Sequence, residues 1–360
     1  MKRKFVFVLA ILILCTAVFA DDAKVMPARV GRVYLAPTFG FANGAFDSDA
    51  KYNAFGEGEG KMKMFNLGFA LEYGIIKWIT GAIQWAPGVN VWSDVDMSLG
   101  TNSTVNANGL ADLFIGAKMQ ILGEQGPVEN ESIRFAVAPG VKVPLPGPDY
   151  EEQFKNIAKS DPVTAANIDK HVIGIGARVY FDYVINNNFF INLHSEFIGY
   201  PVKGDLDKAG LDGYGADLTL KGWNENPASA VMGKIKSDGV DYGYDLTFEL
   251  EPVFSASIGE KTVLTAGLPF NYKYTPGTKY GVSYPSGVQA ALLGANPMSQ
   301  FIADSDPTHL FSLKPGVSVF FMGWALPMEF KLQYAAPIAG ENIGRALHSI
   351  TFQARVYFKI

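Results

Sequence analysis

The sequence predicts an all-β chain: a transmembrane antiparallel β-barrel of about 12 strands with short periplasmic turns and long extracellular loops. Three observations carry this. Period-two segments recur along the chain while helical periodicity is almost absent. Within these segments the charges fall on the face opposite the large apolar residues. The connections between segments alternate short and long. A soluble β-sandwich also alternates polar and apolar positions. Tight turns at one end and long loops at the other are instead the mark of an outer-membrane barrel, and they imply an even strand count.

The chain opens on "MKRK", then the apolar run "FVFVLAILILCTAV", then "VFA" before Asp21. A basic start, an apolar stretch and a small-residue cleavage site read as a secretory signal peptide over 1–20. An uncleaved anchor wants about 20 apolar residues. Acylation at Cys15 wants a small residue before the cysteine, and Leu14 stands there. Cys15 is the only cysteine, so the remaining chain, 21–360, has no possible disulfide. It reads as one barrel domain. No later run of 18 apolar residues exists, so entry into a membrane would be by strands.

The expected strands lie at 30–42, 62–74, 77–87, 110–122, 133–145, 171–184, 188–200, 241–256, 261–274, 308–321, 326–336 and 347–360. A tilted membrane strand needs about 9–11 residues. In 171–184, Ile173, Ile175, Ala177, Val179 and Phe181 oppose Arg178, Tyr180 and Asp182. In 347–360, Ile350, Phe352, Ala354 and Val356 oppose Gln353, Arg355 and Tyr357. "GIIK", "INNN", "SIGEK" and "MGWA" are tight turns, 123–132 is intermediate, and 43–61, 88–109, 146–170, 201–240 and 275–307 are long. Tyr73, Trp85, Tyr183, Phe189, Tyr274, Phe321 and Tyr334 are placed for the membrane interfaces. The last strand runs to the carboxyl terminus and is expected to pair with the first.

The inward parity gives a candidate lumen and selectivity set: Arg32, Tyr34, Asp112, Lys118, Arg134, Lys142, Arg178, Asp182, Glu196, Asp245, Glu249, Glu251, Glu329, Lys331, Arg355 and Tyr357. A barrel of this size is narrower than an open porin, so mixed charges would pair across it and fill part of it. Structural filler and selectivity are both open for these pairs. "RVY" recurs at 32–34, 178–180 and 355–357, and predicts a belt of inward Arg and Tyr at the periplasmic mouth. Pro37, Pro139, Pro252, Pro269, Pro315 and Pro327 fall inside strand windows, where each removes a ladder donor. Bulges can absorb them. The sharper expectation is a lateral opening, with Pro37 and Pro139 as candidates because glycine stands close by in "APTFGF" and "APGVKVPLP".

"EYGIIKWITGAIQW" resembles a hairpin recurrent in outer-membrane transport barrels. "GLADLFIGAKMQIL" followed by "FAVAPGVKVPLPG" resembles the strand, turn and proline-marked strand of the phenol-degradation meta-pathway outer-membrane family. That family is similar in turn to the long-chain fatty-acid and toluene transporters of FadL type. Ala111 stands where the family pattern tends to have Gly. The fatty-acid transporters carry a folded hatch before the first strand. Here only "DDAKVMPAR" precedes "VGRVYLAPTFGF", so no such plug is expected. The resemblance implies passage of small hydrophobic or aromatic compounds.

Enzyme motifs are absent. His194 and Ser195 are adjacent, so on a strand they face opposite sides. "GEGEGK" lacks the Ser/Thr and the spacing of a phosphate loop, and "DLDKAGLDGYGAD" has Ala at two positions where calcium ligands belong. The net charge of −5 is spread along the chain and suggests no nucleic-acid partner. The reading is a bacterial outer-membrane channel for passive uptake of a small solute, with no metal or cofactor. The alternative is a surface-exposed structural or adhesin-type barrel acting through its loops. Expected partners are outer-membrane lipids, the barrel-assembly machinery during biogenesis, and the solute.

Overall fold

A strand whose two faces meet different solvents must alternate, and one whose backbone lies in lipid must be paired on both edges. Both demands are met in the computed structural model, which describes residues 22–56, 60–98, 102–146, 169–204, 236–283 and 304–360. The expected signal peptide, with Cys15, and the loop motif "DLDKAGLDGYGAD" at 205–217 lie outside the described residues.

The strands are β1 (Val30–Ala42), β2 (Gly44–Phe46), β3 (Tyr52–Ala54), β4 (Met62–Ile76), β5 (Ile79–Ser98), β6 (Asn102–Leu110), β7 (Leu113–Leu122), β8 (Ile133–Val143), β9 (Gly174–Val184) and β10 (Phe189–Gly199). They continue as β11 (Lys236–Asp241), β12 (Tyr244–Ser257), β13 (Thr262–Gly267), β14 (Phe270–Thr275), β15 (Lys279–Ser283), β16 (Thr308–Leu313), β17 (Gly316–Phe321), β18 (Met328–Glu341) and β19 (Leu347–Lys359). The wall is a closed antiparallel barrel of 12 strands. Its order is β1, β4, β5, β7, β8, β9, β10, β12, then β13 with β14, β16 with β17, β18 and β19, which returns to β1. β1 and β19 pair from Val30↔Lys359 to Ala42↔Leu347, so the last strand closes the sheet on the first.

Burial decides between a membrane barrel and a soluble one. Leu35, Ile175, Leu250 and Leu332 are 51, 55, 47 and 49 % exposed, while Asp182, Glu249 and Arg134 are 0, 3 and 6 % exposed. A soluble core has the opposite order. Apolar outside and charged inside is the pattern of a wall in lipid around a polar lumen. Aromatic clusters mark its ends. Phe321 stacks on Trp324 beside a short turn, and His309 lies against Tyr272 and Tyr274 toward the long loops.

Several windows are longer or more broken than expected. β5 runs to Ser98 and forms a hairpin with β6 inside the expected loop 88–109, while β2 pairs β3 in the loop 43–61. In β5 a bulge at 86–88 shifts the register against β4. Gly88 takes φ +83 there, and a Cβ would strike the Leu67 carbonyl.

The prolines do not act alike. Pro37 and Pro139 pair without a shift on one edge, with Leu67 of β4 and Ala177 of β9. On the other edge the pairing skips Ala36–Pro37 against β19 and Ala138–Pro139 against β7, then resumes in the same register, so each lateral-opening candidate interrupts the ladder on one side without shifting it. Pro269 and Pro315 each split a wall strand in two. Together with Pro252 they form a row across neighbouring strands, and each proline carbonyl accepts from the next strand: Leu268 N to Pro252 O, 3.1 Å; Lys314 N to Pro269 O, 2.9 Å; Tyr334 N to Pro315 O, 2.9 Å. The row lacks the proline donors but stays stitched.

Candidate functional site: the lumen

All sixteen lumen candidates are buried or half-buried on inward-facing positions. Neighbouring strands bring most of the opposite charges together in register. Arg32 meets Glu72 at 2.5 Å, Arg134 meets Asp182 at 3.6 Å, and Arg355 meets Glu329 at 3.0 Å. Arg178 pairs with Glu196 on the next strand. It also reaches Gln84 on β5, which lies beyond β8 and β7. Gln84 in turn donates to Glu72 at 3.2 Å. A continuous polar chain therefore runs Glu196–Arg178–Gln84–Glu72–Arg32 and narrows the lumen from one side to the other.

The "RVY" segments divide. At the closure Arg32 stands opposite Tyr357, and Tyr34 opposite Arg355. The Arg32 guanidinium is 5.9 Å from both the Tyr34 and the Tyr357 rings, and Tyr357 OH donates to Glu329 at 3.0 Å. Arg178 and Tyr180 sit in mid-strand on the opposite wall, so the belt is two groups that face one cavity rather than a ring at the mouth.

The chief correction lies before β1. The segment 22–27 enters the barrel and seats against one half of the wall. Ala23 N donates to both Asp182 carboxylate oxygens at 3.0 and 3.1 Å, and Met26 N donates to Thr80 Oγ1 at 2.7 Å. Lys118 Nζ donates to Asp22 O at 2.8 Å, Gln120 Nε2 to Ala23 O at 2.9 Å, and Gln125 Nε2 to Val25 O at 3.3 Å. Ala23 is fully buried with Ala136, Ala138 and Tyr180. Gly74 permits the entry, because a Cβ there would collide with the Pro27 carbonyl. A short lead of the chain, rather than a folded hatch, occupies this part of the lumen among the described residues.

The extracellular end is also covered. Asp169 accepts from Lys142 at 2.7 Å and from Asp112 N at 3.1 Å. Lys170 pairs with Asp245 at 2.6 Å and lies 3.9 Å from the Tyr200 ring. His171 N donates to Asp112 at 3.2 Å, and its ring Nδ1 bonds the Leu145 carbonyl at 3.0 Å. Val172 joins Ile198, Tyr200, Val240 and Tyr242 in an apolar cluster above them. The Asp112 hydrogen bond raises the His171 pKa above its ordinary 6.5 against the opposing effect of burial. Burial alone would raise the Asp169 carboxyl, but the Lys142 ammonium outweighs it and the pKa falls.

Counter-charges for the acidic strand can now be named. Asp245 takes Lys170 and also accepts from Tyr200 OH at 2.7 Å, while Glu249 takes Lys314 at 2.9 Å. Among the described residues Glu251 accepts from the amide of Asn192 alone, at 3.1 Å. The neutral partners Thr80, Gln84, Gln120 and Asn192 lie outside the candidate set, which holds charged residues and tyrosines, although Gln120 and Asn192 share the inward parity of their charged neighbours.

Between the lead segment and the β12–β18 wall lies a cavity of about 530 Å³. Its lining mixes Lys24, Arg32, Lys118, Arg178, Lys331 and Arg355 with Glu72, Glu251 and Glu329, and with apolar Val25, Met26, Phe190, Val253, Val263 and Phe320.

No protein-family model and no curated protein matches the sequence. Solved structures do resemble the fold. The COG4313 outer membrane channel from Pseudomonas putida F1 superposes with a TM-score of 0.60 at 9 % identity, over 95 % of this chain and all of that one. The NanC porin (TM-score 0.37, 6 % identity, 91 % and 100 % covered) and a Pseudomonas aeruginosa FadL homologue (0.34, 8 %, 92 % and 90 %) superpose too loosely to carry an argument. At such identities the likeness is one of fold: this chain is an outer-membrane-type barrel.

Proposed function

We propose that this chain is a passive outer-membrane transporter for a small hydrophobic or aromatic solute and has no enzymatic role. The observation that carries the reading is the mixed cavity beside the lead segment, in which apolar and aromatic side chains alternate with charges. A purely structural barrel of this size would fill its lumen with pairs. Here space remains on one side, bordered by the lead segment, while Asp169–Val172 lie over the exterior end of the lumen. Both segments are held by polar contacts that can part without breaking a wall strand. The non-enzymatic reading is supported by His194, which lies against Tyr180 with ring centroids 5.0 Å apart while Ser195 faces the other way.

The test is conductance of the refolded protein in planar bilayers, together with uptake of aromatic solutes by proteoliposomes. Transport predicts gated current or solute-dependent uptake. Neither current nor uptake would remove the reading and leave the loop-based adhesin alternative.

A further inference from the structure

The cavity's polar groups are not equally engaged. Arg32, Arg178 and Arg355 each hold a carboxylate, and Lys118 holds the Asp22 carbonyl. Lys331 makes no hydrogen bond or ion pair among the described residues, although it faces the same cavity. Glu251 and Glu329 are near enough to act on its charge without touching it. Toward the other side, Asn192 is 4 % exposed and its Oδ1 meets no donor among the described residues. Its amide donates to Glu251, which is 5 % exposed. An ammonium offers three donors and the amide oxygen can take two. A buried polar group left unmatched is costly, so a ligand that satisfies the Asn192 amide and also meets the Lys331 ammonium gains by binding.

The surface between these groups is small and flat. Ser255, Thr265, Ser318 and Lys331 stand opposite one another on successive strands. Gly267 and Gly316 form the next row, and a Cβ at Gly267 would run into the Glu251 carboxylate. Phe190 and Phe320 border the space.

We propose that this half of the lumen binds a small aromatic acid with a hydroxyl at its far end, of the hydroxybenzoate type. Lys331 takes the carboxylate, the hydroxyl donates to Asn192 Oδ1 beside Glu251, and the ring lies over the small-residue rows. The proposal rests on the transport reading and narrows its solute class from small hydrophobic or aromatic compounds to phenolic acids.

The experiment is calorimetric titration of the folded barrel in detergent with 4-hydroxybenzoate, benzoate and phenol, with folding of each variant checked by its heat-dependent gel shift. The wild type is expected to bind 4-hydroxybenzoate most tightly. Lys331→Met should weaken both acids at least tenfold and leave phenol unchanged, while Lys331→Arg should stay within a few fold of wild type. Asn192→Leu should bring 4-hydroxybenzoate down to the level of benzoate. Equal affinities in wild type and Lys331→Met, or no heat with any of the acids, would overturn the site. Uptake without binding would discard this site and keep transport; binding without uptake would keep the site and discard transport.

Discussion

Replacing Asp182 with Ala should loosen the lead segment while sparing the wall. Asp182 is fully buried and accepts the Ala23 N–H through both oxygens. A hydrogen bond to a carboxyl group contributes about 0.5–3 kcal/mol across its two charge states, so its loss raises the detached fraction roughly 2- to 150-fold. Arg134 loses a partner at 3.6 Å but keeps Glu124 at 2.5 Å, so its guanidinium is not stranded. The contacts from Thr80, Lys118, Gln120 and Gln125 remain, at about 1 kcal/mol each. The segment should therefore stay seated most of the time and leave more often. In single-channel recordings this reads as more frequent openings of unchanged size, and in hydrogen exchange as faster exchange at the Ala23 amide. Unchanged opening frequency together with unchanged Ala23 exchange would refute the claim that this carboxylate anchors the lead.

Three further outcomes follow from the geometry. The raised His171 pKa means that the closed cap binds a proton more tightly than an open one. Closure should thus be fully supported below pH 6.5 and lose this support as pH rises through the raised value, so openings increase on the alkaline side. Asp112→Asn should flatten that dependence. Gly74→Val should push on the Pro27 carbonyl and unseat the lead from its periplasmic end, seen as raised basal conductance with a normal heat-dependent gel shift. Leu250→Lys, on an outer position 47 % exposed to lipid, should cost about 2–4 kcal/mol in reversible folding into bilayers if it lies near the midplane.

The wall was legible because lipid and lumen impose a period of two on every strand that crosses. That one constraint located the edges of β1 at 30 and 42, and the inward parity of Arg134, Glu249 and Arg355. It could not show the breaks at Pro269 and Pro315, since parity is kept on both sides of them: Thr265 and Asn271 both face inward. The lead segment was invisible for a different reason. "DDAKVMPAR" has no pattern of its own, and its seat is assembled from Gly74, Thr80, Gln120 and Asp182, which lie far apart in the sequence. The extracellular cap is likewise a product of register. Lys170 meets Asp245 across 75 positions, a pairing that no local signal encodes.

The lead segment seats on only one side of the lumen, against β5 and β7 to β10. The barrel thus has a bracing arc and an open arc that answer to separate demands. Along the bracing arc, Thr80, Gln120 and Asp182 must fit a peptide that is part of the same chain, so a change there has to be matched in the lead. Along the open arc, Ser255, Thr265 and Ser318 line the cavity and touch no part of the lead among the described residues. If the cavity takes a solute as proposed, changing a few small side chains there would retune its preference without touching the seat of the lead.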